Sequence, residues 1–339
     1  MASVDIGIDL GTANIILTTA QKGVVLNEPS VVAYNKKTET VVAVGNEAFE
    51  MLGRTPEYIV AIRPLRDGVI SDHNLCQVMI KEFILKVTGK QLIKPRVVLC
   101  IPSFITDVES RAVVEAALSA GARKVYLIQE PVAAMIGAGV DITKPSGNMV
   151  VDIGGGTSDI AVISLGGIVR SNSIKIAGNK IDQAIVKYLT NKYKLLVGDK
   201  TAENIKISLA NVFNPTGEKK MIIKGRNILK GLPEKLEISD IDVRDAVKDS
   251  VEGIMEAIRS VLEVTPPELV GDIYTNGILL TGGGALLGGF PQLIEKTLNV
   301  KCYSAEDPLT CVAKGTRIAF KIADKLLEGF EQISLYKYK

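Results

Sequence analysis

Tryptophan is absent from this 339-residue chain, histidine occurs once, at His73, and aromatic residues make up only 5%. The four cysteines, Cys76, Cys100, Cys302 and Cys311, form no C-x-x-C pair. One histidine and scattered thiols argue against a zinc centre, and reduced, buried thiols in a cytosolic protein are expected. No apolar run approaches the roughly 18 residues that would span a bilayer. A strand-like pattern begins by Val4, so a signal peptide is not expected. An excess of charge of one sign is also lacking. Forty basic and 38 acidic residues leave a net charge of +2, with no dense Lys/Arg block to grip nucleic acid. The phosphate-binding G-x-x-x-x-G-K-[ST] motif occurs nowhere, and no acid follows a G-x-G-x-x-G opening at the distance that reads a ribose.

What is abundant is apolar, at 47% of residues, and the length suits two domains. Strand-like runs alternate with helical patterns, which predicts an α/β fold. Strands are predicted over 4–10, 15–19, 24–34, 40–44, 96–101, 125–128, 149–153, 160–165 and 278–280. Helices are predicted over 74–87, 131–138, 179–193 and 243–262, with a last long one opened by Asp307-Pro308. Thr106 and Glu109 fit a capping box at the start of a helix whose apolar face is Val108, Ala112, Val113, Ala116 and Ala117 and which ends at Gly121. Thr201 is expected to cap a helix running to 209. Residues 221–230 read as an exposed hairpin segment, and 144–147 as an inter-domain crossing.

Two stretches repeat one pattern. DIGIDLGTANIIL (5–17) and VVDIGGGTSDIAVI (150–163) both read strand, Asp, glycine-rich turn, strand, an internal repeat of about 145 residues. Glycine lets backbone N–H groups approach a ligand without a Cβ in the way, and clustered N–H donors form an anion-binding concavity. Thr12, Thr157 and Ser158 add hydroxyls. Asp9 and Asp152 bring negative charge to the same strand ends, which repels a polyphosphate unless a cation lies between. Mg²⁺ keeps several of its waters, and two carboxylates contacting those waters would suit it. TGGGALLGG (281–289) follows a strand and offers a flat backbone to an adenosine. Glu130, in LIQEP (127–131), stands before a helix-starting proline, where a carboxylate can orient or deprotonate an attacking water.

DLGT, LIQEP, DIGGGTSD and LTGGGALL, in that order and spacing, resemble the phosphate, connecting and adenosine segments of the actin, sugar-kinase and heat-shock ATPase superfamily. Within it, LNEPSVVAYN, LGRTPEYIVAIRPLRDGVISD, TAENIK and AEDPLTCVAKG are similar to segments of the MreB-type bacterial actins, over about residues 5–325. The resemblance implies an actin-like two-lobed fold with duplicated ribonuclease-H-like cores. The first core would take 1–32, 66–145 and 315–339, with a small subdomain at 33–65. The second would take 146–180 and 242–314, with a small subdomain at 181–241.

The resemblance also implies roles. ATP would lie between Gly11, Thr12, Ala13 and Asn14 on one side and Gly154, Gly155, Gly156 and Thr157 on the other, with Gly178 nearby. Asp9 and Asp152 would hold hydrated Mg²⁺. Glu130 would position the attacking water, aided by Thr157 and Ser158. Glu203 and Lys206 would approach ribose and adenine, and Gly282, Gly283 and Gly284 would border the adenosine. Gln129 stands where the family usually has an acid, Ser158 where it has threonine, and Ala177-Gly178-Asn179 where it has Gly-Gly-Asp; slow hydrolysis is expected. Self-assembly into filaments, a role in cell shape, and a cytoplasmic, peripherally membrane-associated location are implied as well, with other MreB-like proteins and lipids as partners. Leu92 and Ile93, between Lys90 and Lys94, resemble the family's membrane loop. A sugar or acid kinase would need an acid aimed at a substrate hydroxyl. A chaperone ATPase would need a large substrate-binding region, for which the residues up to Lys339 leave no room.

Overall fold

The structure is a computed structural model and describes residues 5–89, 94–322 and 330–333. The chain opens with three antiparallel strands, β1 (Ile6–Leu10), β2 (Asn14–Thr19) and β3 (Gly23–Pro29). The single run predicted over 24–34 is broken at Ser30. There the Ser30 amide donates to the Ala13 carbonyl at 2.9 Å and its hydroxyl to the Gly11 carbonyl at 2.6 Å. The chain therefore leaves the first sheet and starts a second, small one, of β4 (Val32–Asn35), β5 (Thr40–Val44) and, after α1 (Asn46–Met51), β6 (Ile59–Ile62). A two-residue pair, β7 (Leu65–Arg66) and β8 (Val69–Ile70), leads to α2 (His73–Thr88).

Then β9 (Arg96–Ile101), α3 (Asp107–Ser119), β10 (Lys124–Gln129) and α4 (Glu130–Gly137) return to the first sheet. Thr106 and Glu109 do form the capping box of α3. Val108, expected on the apolar face, is 76% exposed. It lies in the first turn, before α3 meets the sheet, and the buried stripe is Val113, Val114, Ala116 and Ala117.

The second half repeats the first. β11 (Asn148–Ile153), β12 (Ser158–Ser164) and β13 (Gly167–Ile174) are antiparallel, and α5 (Gly178–Tyr193) follows. A small sheet is built from β14 (Leu195–Leu196), β15 (Lys220–Asn227) and β16 (Pro233–Ser239), with α6 (Asp199–Leu209) inserted. The cap of α6 is Gly198 rather than Thr201, which lies inside the helix. Next come α7 (Asp240–Glu263), α8 (Pro267–Asn276), β17 (Ile278–Thr281), a 3₁₀ turn at Gly283–Leu286, α9 (Phe290–Leu298), β18 (Cys302–Ser304), α10 (Cys311–Ile322) and β19 (Phe330–Ile333).

Asp307-Pro308 does not open α10, which starts at Cys311. The Asp307 carboxylate instead accepts from Thr310 and Lys314, and the Pro308 carbonyl accepts from the Gly282 amide at 2.9 Å.

The two large sheets show the duplication directly. One runs β19-β10-β9-β1-β2-β3 and the other β13-β12-β11-β17-β18. Apart from the added edge strand β19, each is three antiparallel strands with two parallel strands beside the first. A shared apolar core holds Val98 and Cys100 of one sheet, Val150 and Leu279 of the other, and Val132, Ala133 and Met135 of α4. Helices α4 and α10 cross here with backbones in contact: a Cβ at Gly137 would strike the Cys311 carbonyl, and one at Gly315 the Ala133 carbonyl. The two β-strand–turn units at 9–14 and 152–157 are thereby brought to one place.

Candidate functional site

The two glycine-rich turns meet. A Cβ at Gly155 would lie 2.7 Å from the Cβ of Ala13, and one at Gly156 would lie 2.5 Å from the Thr12 hydroxyl. Only glycine permits so close an approach. The first turn is held from behind by Ser30 and by Arg63, whose Nη1 donates to the Ala13 carbonyl at 2.8 Å. Thr12 accepts from the Gly68 amide at 3.1 Å. The second turn is held by α5: the Gly178 amide donates to the Gly154 carbonyl at 3.1 Å and the Asn179 amide to the Gly155 carbonyl at 2.8 Å.

Between the turns lies a cavity of about 460 Å³, within the range of small-molecule sites. It is lined by Asp9, Gly11, Thr12, Ala13, Asn14, Glu130, Asp152, Gly154, Gly155, Gly156, Thr157, Gly178, Glu203, Lys206, Gly282, Gly283 and Gly284. These sequence-predicted residues, far apart in the chain, therefore face one space. Gly282 is at φ +74°, and a Cβ there would meet the Asp152 carboxylate at 2.6 Å. A flat backbone wall beside Asp152 follows.

Ser158 does not line this cavity. Its side chain is fully buried, and its hydroxyl donates to the Ile176 carbonyl at 2.6 Å, which ties β12 to the segment after β13. Gln129, the N-cap of α4, does not line it either. Leu92 and Ile93 lie outside the described residues.

Sequence reasoning missed the apolar wall formed by Ile16, Ile207, Leu286, Leu287, Leu309 and Val312. Ile207, Leu286 and Leu309 are 73%, 60% and 51% exposed and border the same cavity, a grouping of exposed apolar side chains that suits a ligand mouth or an interface. Asp159 was also missed. It pairs across strands with Asp152, is fully buried, and accepts the Ser103 amide at 3.0 Å. A charge within the strand SDIAVIS, directly before the apolar run IAVI, was the available signal.

Four carboxyl groups thus converge. Burial, then the Asp152 charge, pushes Asp9 up to about 8. Burial, then Asp159, pushes Asp152 up to about 7, although the Thr281 hydroxyl donating at 3.0 Å works against this. Glu130 is raised well above the usual carboxylate range by burial and then by Asp159, Asp152 and Asp9. Such a cluster lowers its free energy by holding protons or by admitting a cation. Among the described residues no group of three or more His, Cys, Asp or Glu side chains is arranged to hold a metal ion. Asp9 and Asp152, which both line the cavity, are carboxylates that an ion held through its waters would fit. At the far end, Lys206 Nζ reaches the Asp182 carboxylate at 2.9 Å and the Gly178 carbonyl at 3.3 Å.

The sequence and the fold have counterparts among known proteins. The chain is 52% identical to the cell shape-determining protein Mbl of Bacillus subtilis (strain 168), over 95% of this chain and 97% of that protein. The crystal structures of MreB5 of Spiroplasma citri bound to ADP and to AMPPNP each superpose with a TM-score of 0.91 at 39% identity, covering 96% of this chain and 98% of theirs. A MamK double helical filament shares the fold at 22% identity, with a TM-score of 0.80 over 95% of this chain and 99% of that one. A family model described as MreB/Mbl protein matches residues 3–328. With an actin-like duplication, two facing glycine turns and relatives of this closeness, the chain belongs to the MreB/Mbl family.

Proposed function

We propose that this chain is a cytoskeletal ATPase that binds ATP with Mg²⁺ between its lobes, assembles into filaments and slowly hydrolyses the nucleotide to ADP, in the service of cell shape at the inner face of the membrane. The observation that carries the reading is the contact of the turns at 11–14 and 154–157 over a cavity holding Asp9, Asp152 and Glu130. The ADP- and AMPPNP-bound forms of MreB5 supply the kind of ligand, and the MamK filament the kind of assembly.

The backbone N–H groups of both turns and the Thr12 and Thr157 hydroxyls bind the phosphates. Asp9 and Asp152 would hold Mg²⁺ through its waters, and the ion supplies neutralising charge to the polyphosphate when bound. Glu130 orients a water toward the γ-phosphate. The apolar side chains of Ile207, Leu286 and Leu309 cover the base, with Glu203 and Lys206 at the ribose. The domain division is part of the proposal: 1–32, 66–145 and 315–339 with 33–65 as the first lobe, and 146–180 and 242–314 with 181–241 as the second. The second small sheet falls within 181–241 and the first within 33–65 except for Val32, the first residue of β4, which supports it.

Among the described residues no helix is long and apolar enough to cross a membrane. Membrane attachment therefore rests on Leu92 and Ile93 with Lys90 and Lys94, each copy binding weakly and a filament binding by avidity.

High-speed sedimentation and electron microscopy with ATP, ADP or no nucleotide, alongside phosphate release, test the reading. Filaments and slow phosphate release with ATP, both abolished by excess EDTA, are expected, and co-sedimentation of those filaments with anionic liposomes. ATP-dependent phosphorylation of a sugar without assembly would replace it with a kinase.

A further inference from the structure

About one turn before the cavity-lining Glu203, α6 makes a contact with the first lobe that nucleotide binding alone does not require. Phe49 sits on α1 and packs against the small core of Val31, Ala33, Ala43 and Ala48 in the first lobe. Lys200 sits on α6, in the second lobe. Its Nζ stands 4.1 Å from the centroid of the Phe49 ring, and the Arg63 guanidinium stands 5.9 Å from the same centroid. Both distances are within reach of a cation–π attraction. Lys200 also meets Glu50 at 3.9 Å, but the Glu50 side chain is 72% exposed, so that ion pair contributes little. The ring is the anchor.

Arg63 connects this contact to the site. Besides facing Phe49, it donates to the Ala13 carbonyl at 2.8 Å and the Thr12 carbonyl at 3.5 Å. The acids facing it, Glu203, Asp182 and Asp199, all belong to the second lobe. Each lobe therefore presents a cation to the other: Arg63 to the acids of α5 and α6, and Lys200 to the ring on α1. The cations would repel one another without the ring and the acids between them.

We propose that Phe49, Arg63 and Lys200 form a clasp that keeps the two lobes closed over a bound nucleotide. In it Arg63 is a positioning residue that fixes the first phosphate turn. Opening the lobes far enough to release the ligand breaks the Lys200–Phe49 contact, so the clasp sets the rate of nucleotide release. Binding begins from the open cleft, so the rate of association does not depend on it. This inference rests on the nucleotide reading above.

The test is the release of a fluorescent methylanthraniloyl-ATP from the full chain, chased with excess ATP. Phe49→Leu keeps the apolar bulk and removes the ring. Lys200→Met keeps the stem and removes the charge. Phe49→Tyr keeps the ring. We expect F49L and K200M each to speed release about two- to fivefold with association unchanged. F49Y is expected to match the wild type, and the F49L/K200M double variant to be no faster than the faster single one. Release at the wild-type rate in both F49L and K200M, or effects that multiply in the double variant, would overturn the clasp and leave the nucleotide site standing. A wild-type chain that binds no methylanthraniloyl-ATP would overturn the nucleotide reading, and the clasp with it.

Discussion

Glu130 occupies the first position of α4, directly before Pro131, and faces the cavity with Asp9 and Asp152. A side chain that orients or deprotonates a reacting water typically contributes a factor of about 10²–10⁴ in rate. Glu130→Ala should therefore slow single-turnover phosphate release by at least about 100-fold while ATP affinity stays within about threefold. Unchanged release would remove Glu130 from the chemistry. Asp9 makes a different prediction. A carboxyl held at about 8 binds its proton more tightly in the folded chain than in the unfolded one, where its value is near 3.9. Its contribution thus favours folding below pH 4 and is lost as pH rises through about 8. In nucleotide-free protein, Asp9→Asn should flatten that slope and raise the melting temperature at pH 8 by at least about 2 °C. Equal melting curves for both proteins between pH 5 and 8 would show that the carboxyl cluster carries no such strain.

At the scale of elements, the turns matter more than the side chains they carry. Gly155 faces Ala13, whose carbonyl is already fixed by Ser30 and Arg63, so neither turn has room to give. Gly155→Val should push the turns apart and weaken ATP binding at least about 10-fold. Its cost to folding is only that of overpacking, about 1–3 kcal/mol. Titration calorimetry and urea denaturation separate the two effects, and a variant that binds ATP as the wild type does would contradict the facing-turn geometry.

Much of this level was legible in the sequence, because it is written locally. The glycine turns, the Thr106–Glu109 box and the 3.6-residue apolar period of α7 all announce themselves within a few residues. What failed was decided by distant partners. Ser30 breaks a run of strand-like residues because it is needed at 11–13. Asp307-Pro308 resembles a helix start, but the Pro308 carbonyl is taken by Gly282. Ser158 sits in the right motif but spends its hydroxyl on Ile176. Asp159 and the Ile207–Leu286–Leu309 wall become visible only once the second sheet is assembled.

At the scale of the whole molecule, duplication explains why the site exists. Each sheet ends its first strand with an aspartate and a glycine turn, and one such unit alone is an ordinary tight hairpin. Helices α4 and α10 cross through Gly137 and Gly315 with their backbones in contact, and so set the two units face to face. The cavity takes residues from both halves and from the 282–284 turn; neither half encloses it alone. In the proposed reading, the apolar wall, the clasp of Phe49, Arg63 and Lys200, and the acid cluster serve base, closure and phosphate in one cleft.

The central claim is that two opposed turns, each with its own aspartate, close on a single Mg²⁺-bound triphosphate. It is tested most directly by ATP affinity measured with Mg²⁺ and with excess EDTA, in the wild type and in the Asp9→Asn/Asp152→Asn double variant. The account predicts that Mg²⁺ tightens wild-type binding at least about 10-fold and leaves the double variant nearly unaffected. A wild type indifferent to Mg²⁺, or a double variant that keeps the full gain, would contradict it.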